Sequence, residues 1–181
     1  IIAKKEEEYG NKIYVIQDVA HSFGAKCKVY FLRNLTIESI AYYLKYELYP
    51  SDIRADINFG GYDTFRQELL DPKSLIHQNQ PDVIVLSLML EQFDSRFGST
   101  NWNEEETLDN LETLFSQLNE SFDALIVLNT FIPPFFDPSG IASSGTENST
   151  IKKIERLNSF VSKFCQHHPA KFICVDWSRL V

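Results

Sequence analysis

Basic residues, cysteines and long apolar runs are all scarce in this sequence. Lys and Arg number 17 against 25 Asp and Glu, a formal net charge of −8. A general phosphate-backbone binder carries a basic face, so this balance argues against a nucleic-acid partner. Three cysteines, Cys27, Cys165 and Cys174, are too few and too scattered for a disulfide framework or a zinc site. Cys174 in an apolar strand and Cys165 on a helix face read as buried inert thiols, which fits a reducing, cytoplasmic setting. No apolar run approaches the ~18 residues needed to span a membrane. A basic-then-apolar signal sequence is also missing, so neither membrane nor secretion is expected. Of the four histidines, His167 and His168 are adjacent before Pro169, point different ways and read as surface residues, while His21 and His77 are isolated. No metal site is expected from them. A Gly-rich phosphate loop ending in Lys-Ser/Thr and a G-x-G-x-x-G turn are both absent.

What is present is a globular composition: 181 residues, 44% hydrophobic and 23% charged, with 14 Phe, 8 Tyr and 2 Trp. That length predicts one domain with a substantial, aromatic-rich core. The chain starts without Met and stops just after a strand, so it is expected to be one domain of a longer polypeptide.

Residues 1–27 read as an N-terminal arm or extra element. The Lys4-Lys5-Glu6-Glu7-Glu8 run is a solvated helix or arm, and Ile13-Tyr14-Val15-Ile16 a short strand or part of a helix. A strand-helix alternation follows. Strand one covers 28–32, and a helix is predicted over 36–48, with Ile37, Ile40, Ala41, Leu44 and Leu48 at helical spacing and Glu38 in its first turn. Strand two, 53–58, alternates apolar and polar residues as a half-exposed strand towards an edge does. A short helix over 63–70 ends at Asp71-Pro72. Strand three, 83–88, is almost continuously apolar and so central. After a polar loop over 95–103, a helix over 104–118 starts with Glu104-Glu105-Glu106 at its positive end. Strand four is 124–129, and a second long loop covers 130–148. The last helix covers 150–167 and strand five 172–175. Right-handed crossovers then give a three-layer α/β/α sandwich on a parallel sheet of about five strands, order 2-1-3-4-5.

Ligands of open α/β sheets bind beyond the carboxyl ends of the strands. Those ends supply Arg33, Asn34 and Thr36 after strand one, Gly60, Gly61 and Tyr62 after strand two, Glu91 and Gln92 after strand three, and Asn129 and Thr130 after strand four. Each has a plain structural role open to it. Asn34 or Thr36 is a helix N-cap, Gly60-Gly61 a turn with positive φ, Glu91 a solvated acid, and Asn129 a cap on strand-end amides. Their joint occurrence at one edge points to a polar pocket. A Ser-His-Asp hydrolase needs a serine at a strand-to-helix elbow, where this chain has Asn34, and no histidine follows the last strand.

The layout resembles SGNH/GDSL hydrolases, whose first strand ends in a G-D-S-L-type block, whose second loop supplies a glycine and whose third supplies G-x-N-D. The match puts Asn34 at the nucleophile, Gly60 or Gly61 at the oxyanion glycine and Glu91 at the oxyanion asparagine. An amide is not activated by a base as a hydroxyl is, and a carboxylate repels a developing oxyanion. The chain is more closely similar to the N-terminal, SGNH-like domain of FkbH-like proteins of the HAD-IIIC group. It carries Arg33-Asn34-Leu35-Thr36-Ile37-Glu38, Gly61-Tyr62-Asp63-Thr64-Phe65-Arg66-Gln67, Asp71-Pro72-Lys73-Ser74-Leu75 and Pro81-Asp82-Val83, with Leu157-Asn158 and Val175-Asp176 further on. The resemblance implies that 28–181 is the SGNH-like domain and that a HAD phosphatase-like domain adjoins it. That adjoining domain holds magnesium and acts in loading a glyceryl unit onto an acyl carrier protein in polyketide-type biosynthesis. The magnesium motif D-x-D-x-T is not in this chain, so no cofactor is expected here. The expected function is a catalytically degenerate SGNH-like domain that binds a small acyl or phosphorylated ligand, a carrier protein or the partner domain. The alternatives are an active hydrolase with Thr36, Ser74 or Ser87 as a rearranged nucleophile, and a purely structural docking domain.

Overall fold

The computed structural model describes residues 24–99, 101–134 and 146–179. Most of the N-terminal arm, with His21 and the 13–16 segment, lies outside the described residues, as does the middle of the second long loop.

Five strands form one parallel sheet: β1 (Ala25–Arg33), β2 (Ile53–Tyr62), β3 (Val83–Ser87), β4 (Leu125–Asn129) and β5 (Phe172–Val175). Their spatial order is β2-β1-β3-β4-β5, as the alternation predicts, with β2 at an edge and β3 in the centre. The connecting helices are α1 (Ile40–Leu48), α2 (Phe65–Leu70), α3 (Leu75–Asn79), α4 (Leu90–Phe93), α5 (Glu104–Ser121) and α6 (Thr150–His167).

Strand side chains alternate between faces, and here the alternation separates two cores. Tyr30 and Leu32 of β1, Ile84 and Leu86 of β3, Ile126 and Leu128 of β4 and Phe172 of β5 face one way. They meet the apolar stripes of α2 to α6, including Leu111, Leu118, Ile154 and Val161. Val29, Phe31, Val83 and Val85 face the other way and meet Ile40, Leu44 and Leu48 of α1. Right-handed crossovers explain the split, because only the β1–β2 connection runs outward on the second face. Among the described residues, α1 is the one helix packed there.

The last helix and last strand have the predicted bounds. Ser149 caps α6 by accepting from Lys152 N at 3.3 Å, and Pro169 follows its end. Asn103 caps α5, ahead of the three glutamates, by accepting from Glu105 N at 3.0 Å. Four expectations need correction. First, β1 begins at Ala25 and pairs with β2 from there, so residues 25–27 belong to the sheet. Second, α1 starts at Ile40, not Thr36. Residues 37–42 enter it through tight turns (Ile40 N to Ile37 O at 3.0 Å), the N-cap is Ser39, and Glu38 lies before the helix. Third, α2 ends at Leu70 with Asp71 as its C-cap, as the Asp71-Pro72 break predicts, but a further short helix that the sequence did not suggest, α3, follows from Leu75. Fourth, His168 is half-buried and stacks on Phe164, with centroids 4.8 Å apart, whereas His167 is exposed. Cys165 is buried as expected, but Cys174 is only half-buried.

Candidate functional site

The carboxyl edge of the sheet is built around asparagine side chains. Asn34, directly after β1, is fully buried. Its Oδ1 accepts from Met89 N at 2.7 Å and its Nδ2 donates to Met89 O at 2.9 Å. Asn129, at the end of β4, does the same to the preceding residue: Oδ1 accepts from Leu88 N and Nδ2 donates to Leu88 O, both at 2.9 Å. Asn158 of α6 holds Phe131 in this way, at 2.7 and 2.8 Å. Each carboxamide thus mimics a neighbouring strand's peptide group, satisfying backbone donors and acceptors just where the ladders end. Neither Asn34 nor Thr36 makes a side-chain cap bond to α1.

Gly60 and Gly61 are not a positive-φ turn. Both lie inside β2, and the positive-φ glycines among the described residues are Gly24 and Gly98. Phe31 pairs with Phe59 and Arg33 with Tyr62, so two glycines oppose Leu32 alone in a β-bulge. A Cβ at Gly60 would fall 2.6 Å from Glu68 Oε1, and one at Gly61 2.5 Å from Thr64 Oγ1. The Glu68 carboxylate crowds the first position and the Thr64 side chain the second. That carboxylate accepts from Gly61 N (2.8 Å), Thr64 Oγ1 (2.7 Å) and Tyr30 Oη (2.7 Å). Burial first, then this bond and the nearby negative charge, push the Tyr30 phenol well above its usual range. The Gly61 amide is therefore already bonded to an internal carboxylate.

Arg33 ends β1 beside Tyr62 of β2 and Ser87 of β3. It is 8% exposed. Its Nη1 donates to Leu35 O at 3.1 Å and its Nη2 lies 2.7 Å from Glu38 Oε1. The guanidinium sits 5.7 Å from the Phe59 ring, which itself stacks on Phe31 at 4.9 Å. Its Nε is buried and has no hydrogen-bond partner among the described residues. Tyr62, Thr36 and Glu91 are exposed; Glu91 lies on α4, pointing to solvent rather than into an oxyanion position. Of the alternative nucleophiles, Ser74 donates its hydroxyl to Glu68 O at 2.6 Å, and Ser87 is buried. Thr130 is buried and donates to Asp176 Oδ1 at 3.0 Å.

The structure thus brings Arg33, Asn34, Tyr62 and Asn129 to one edge with Met89. It ties Gly60 and Gly61 to Glu68 and leaves Thr36 and Glu91 in solvent. Sequence reasoning missed Glu68, Met89 and the pairing of Glu38 with Arg33. The one visible signal was the presence of Arg33 and Glu38 at the two ends of a single motif block.

Beyond the edge, on the α1 face, a cavity of about 480 Å³ runs along the sheet under α1, lined by Val85, Val127, Val175 and Trp177 among others.

These features define a three-layer α/β domain with the strand order of the SGNH and flavodoxin-like class. No protein-family model and no curated protein sequence matches the chain. Among solved structures, it shares its fold with the N-terminal part of protein BF1531 from Bacteroides fragilis, a structure that contains a phosphatase domain complexed with magnesium. That match has a TM-score of 0.73 at 17% identity and covers 87% of this chain but 42% of the other. This chain therefore spans less than half of that protein's length. A GDSL-like lipase (BT0569) from Bacteroides thetaiotaomicron aligns more loosely, with a TM-score of 0.48, 15% identity, and 92% and 78% of the two chains covered. An acetylxylan esterase from Geobacillus stearothermophilus has a TM-score of 0.46, 16% identity, and 83% and 76% coverage. The described residues contain no helix long and apolar enough to cross a membrane.

Proposed function

We propose that this chain is a catalytically degenerate SGNH-like domain that binds a ligand or partner and assists an adjoining phosphatase-like module. The observation that carries the reading is the state of Asn34. At the position of the hydrolase nucleophile stands a buried amide whose two polar atoms are both committed to the Met89 backbone. A carboxamide is not activated by a base as a hydroxyl is, and one held at both polar atoms by the backbone is not free to turn towards an ester. The Gly61 amide, bonded to Glu68, adds to this, because an oxyanion donor must be free to face the reacting oxygen. The fold shared with a protein that also contains a phosphatase domain supports the adjoining module, and magnesium chemistry belongs to that module in this reading. Asn34 serves as a positioning residue and Arg33 as the charged group at the edge. A carrier protein or the module itself is the partner.

Two measurements test this. An activated ester and a serine-directed fluorophosphonate, offered to the purified chain, are expected to give no turnover and no labelling. Stoichiometric modification of Thr36, Ser74 or Ser87 would sink the degenerate reading. In the parent protein, deleting this domain is expected to lower phosphatase or transfer output. Unchanged output after Arg33→Ala combined with Asn34→Ala would leave only a structural docking role.

A further inference from the structure

Four arginines among the described residues meet carboxylates; the largely exposed Arg179 reaches Asp176 at 3.0 Å, and the other three differ in how completely their forks are filled. The Nε and Nη2 of an arginine point from one side of the guanidinium plane and form a fork matched to two oxygens of one anion. In Arg156 both tines reach Glu104, at 2.5 and 2.8 Å. In Arg96 both reach Asp94, at 3.2 and 3.3 Å. In Arg33 only Nη2 is taken, by Glu38, and Nε has no partner among the described residues. The Arg96 and Arg156 side chains are 41% exposed, so water is at hand for either, yet their forks are full. The Arg33 side chain is 9% exposed, where an unmade hydrogen bond is most costly, and its fork is half empty. Its present partner is held loosely. The Glu38 side chain is 49% exposed, precedes α1, and spends its other oxygen on the Ile37 amide at 3.0 Å.

Resting on the ligand-binding role proposed above, we propose that the Nε–Nη2 edge of Arg33 is the seat of a phosphate monoester group, with Glu38 as a built-in stand-in that the ligand displaces. The Phe59–Phe31 stack supports the guanidinium from one side, and Nη1 is anchored on Leu35 O, so the fork keeps its direction when Glu38 leaves. Phosphate is favoured over carboxylate because the competitor is itself a carboxylate held nearby by the chain. A second monoanionic carboxylate gains nothing over it, whereas a phosphate near −2 brings more charge and enough oxygens for both tines.

The experiment is a titration of the 181-residue chain with inorganic phosphate, read at the Arg33 Nε–H resonance by ¹⁵N NMR, whose spectrum also reports folding. In the wild type this resonance is expected to shift. Glu38→Gln, which removes the competing charge, is expected to bind phosphate up to about fivefold tighter. Arg33→Lys, followed at the backbone amides of Leu35 and Ile37 beside the seat, keeps the charge without the fork and is expected to lose the binding. Acetate at the same concentration is expected to leave the resonance in place. No shift in either the wild type or Glu38→Gln, or weaker binding by Glu38→Gln, overturns the proposal. An acetate shift equal to that of phosphate overturns the assignment to phosphate. A null titration with an intact effect of domain deletion removes only this seat, while phosphate binding without any deletion effect removes the assisting role.

Discussion

The two faces of the sheet differ in how they are covered. Against α2 to α6, residues such as Ile84, Leu111, Ile126 and Ile154 are wholly excluded from solvent. Against α1, no helix residue is fully buried, and the cavity of about 480 Å³ remains beside the β3–β5 side chains. The same strands serve both faces, so the difference comes from the connections and not from strand composition. Three of the four crossovers place their helices on one side. Among the described residues, the closely packed face holds the larger buried cluster and the other face a smaller one around Val29 and Phe31.

Neighbouring residues of β4 give the sharpest test, since Ile126 faces the packed side and Val127 the cavity. Ile126→Ala is expected to cost about 2–5 kcal/mol in urea unfolding, through lost burial and an unfilled hole. Val127→Ala should cost under about 1 kcal/mol, because among the described residues its outer side lines the cavity and is not closely packed. Equal costs for the two would mean that the cavity is not open. Asn34→Ala should follow at about 2–3 kcal/mol, because it strands the N–H and C=O of Met89 at once. An unchanged melting curve for this variant would remove Asn34 from the edge's framework.

A smaller effect is expected from acid. Burial alone raises the Asp94 carboxyl, but hydrogen bonds from Arg96 and Thr107 and the Arg96 charge outweigh it and hold it below the usual carboxylate value. A lowered folded value means that this stabilisation is present above about pH 4, where an unfolded Asp ionises, and fades as pH falls through the folded value. Asp94→Asn should therefore flatten the acid limb of a stability-versus-pH profile, and an unaltered slope would count against the Arg96–Asp94 pairing. Smallest of all is Val127→Leu, expected to change stability by under about 1 kcal/mol, since the cavity accepts the extra methylene that a filled core would resist. A large loss there would erase the contrast between the faces.

Much of this fold was legible in the sequence, because periodicity reports burial. The continuous apolar run over 83–88 marked the central strand, and the alternation over 53–58 marked the edge. Ser149 and Pro169 set the limits of α6 locally. Features that failed to show depend on residues meeting across the chain. Thr36 looks like a cap in isolation, yet the chain makes further tight turns before α1. Gly60-Gly61 looks like a turn, yet Gly60 is crowded by Glu68, eight residues later on another element, and Gly61 by Thr64 while its amide donates to Glu68. Glu38 has the position of a first-turn acid, but its partner is Arg33, five residues back and off any helical face. The strand-end asparagines looked like pocket groups, and nothing local distinguishes a free carboxamide from one bonded at both ends.

The three asparagine grips have a consequence for motion. A loop at the end of a parallel sheet is ordinarily where backbone amides open quickly and exchange with solvent. Here Leu88, Met89 and Phe131 each have both backbone groups held by a side chain from a neighbouring element. Their amides should exchange on the slow timescale of the strands, with opening tied to that of the whole sheet. The rim from which a ligand would be gripped then moves with the core and not with the loops.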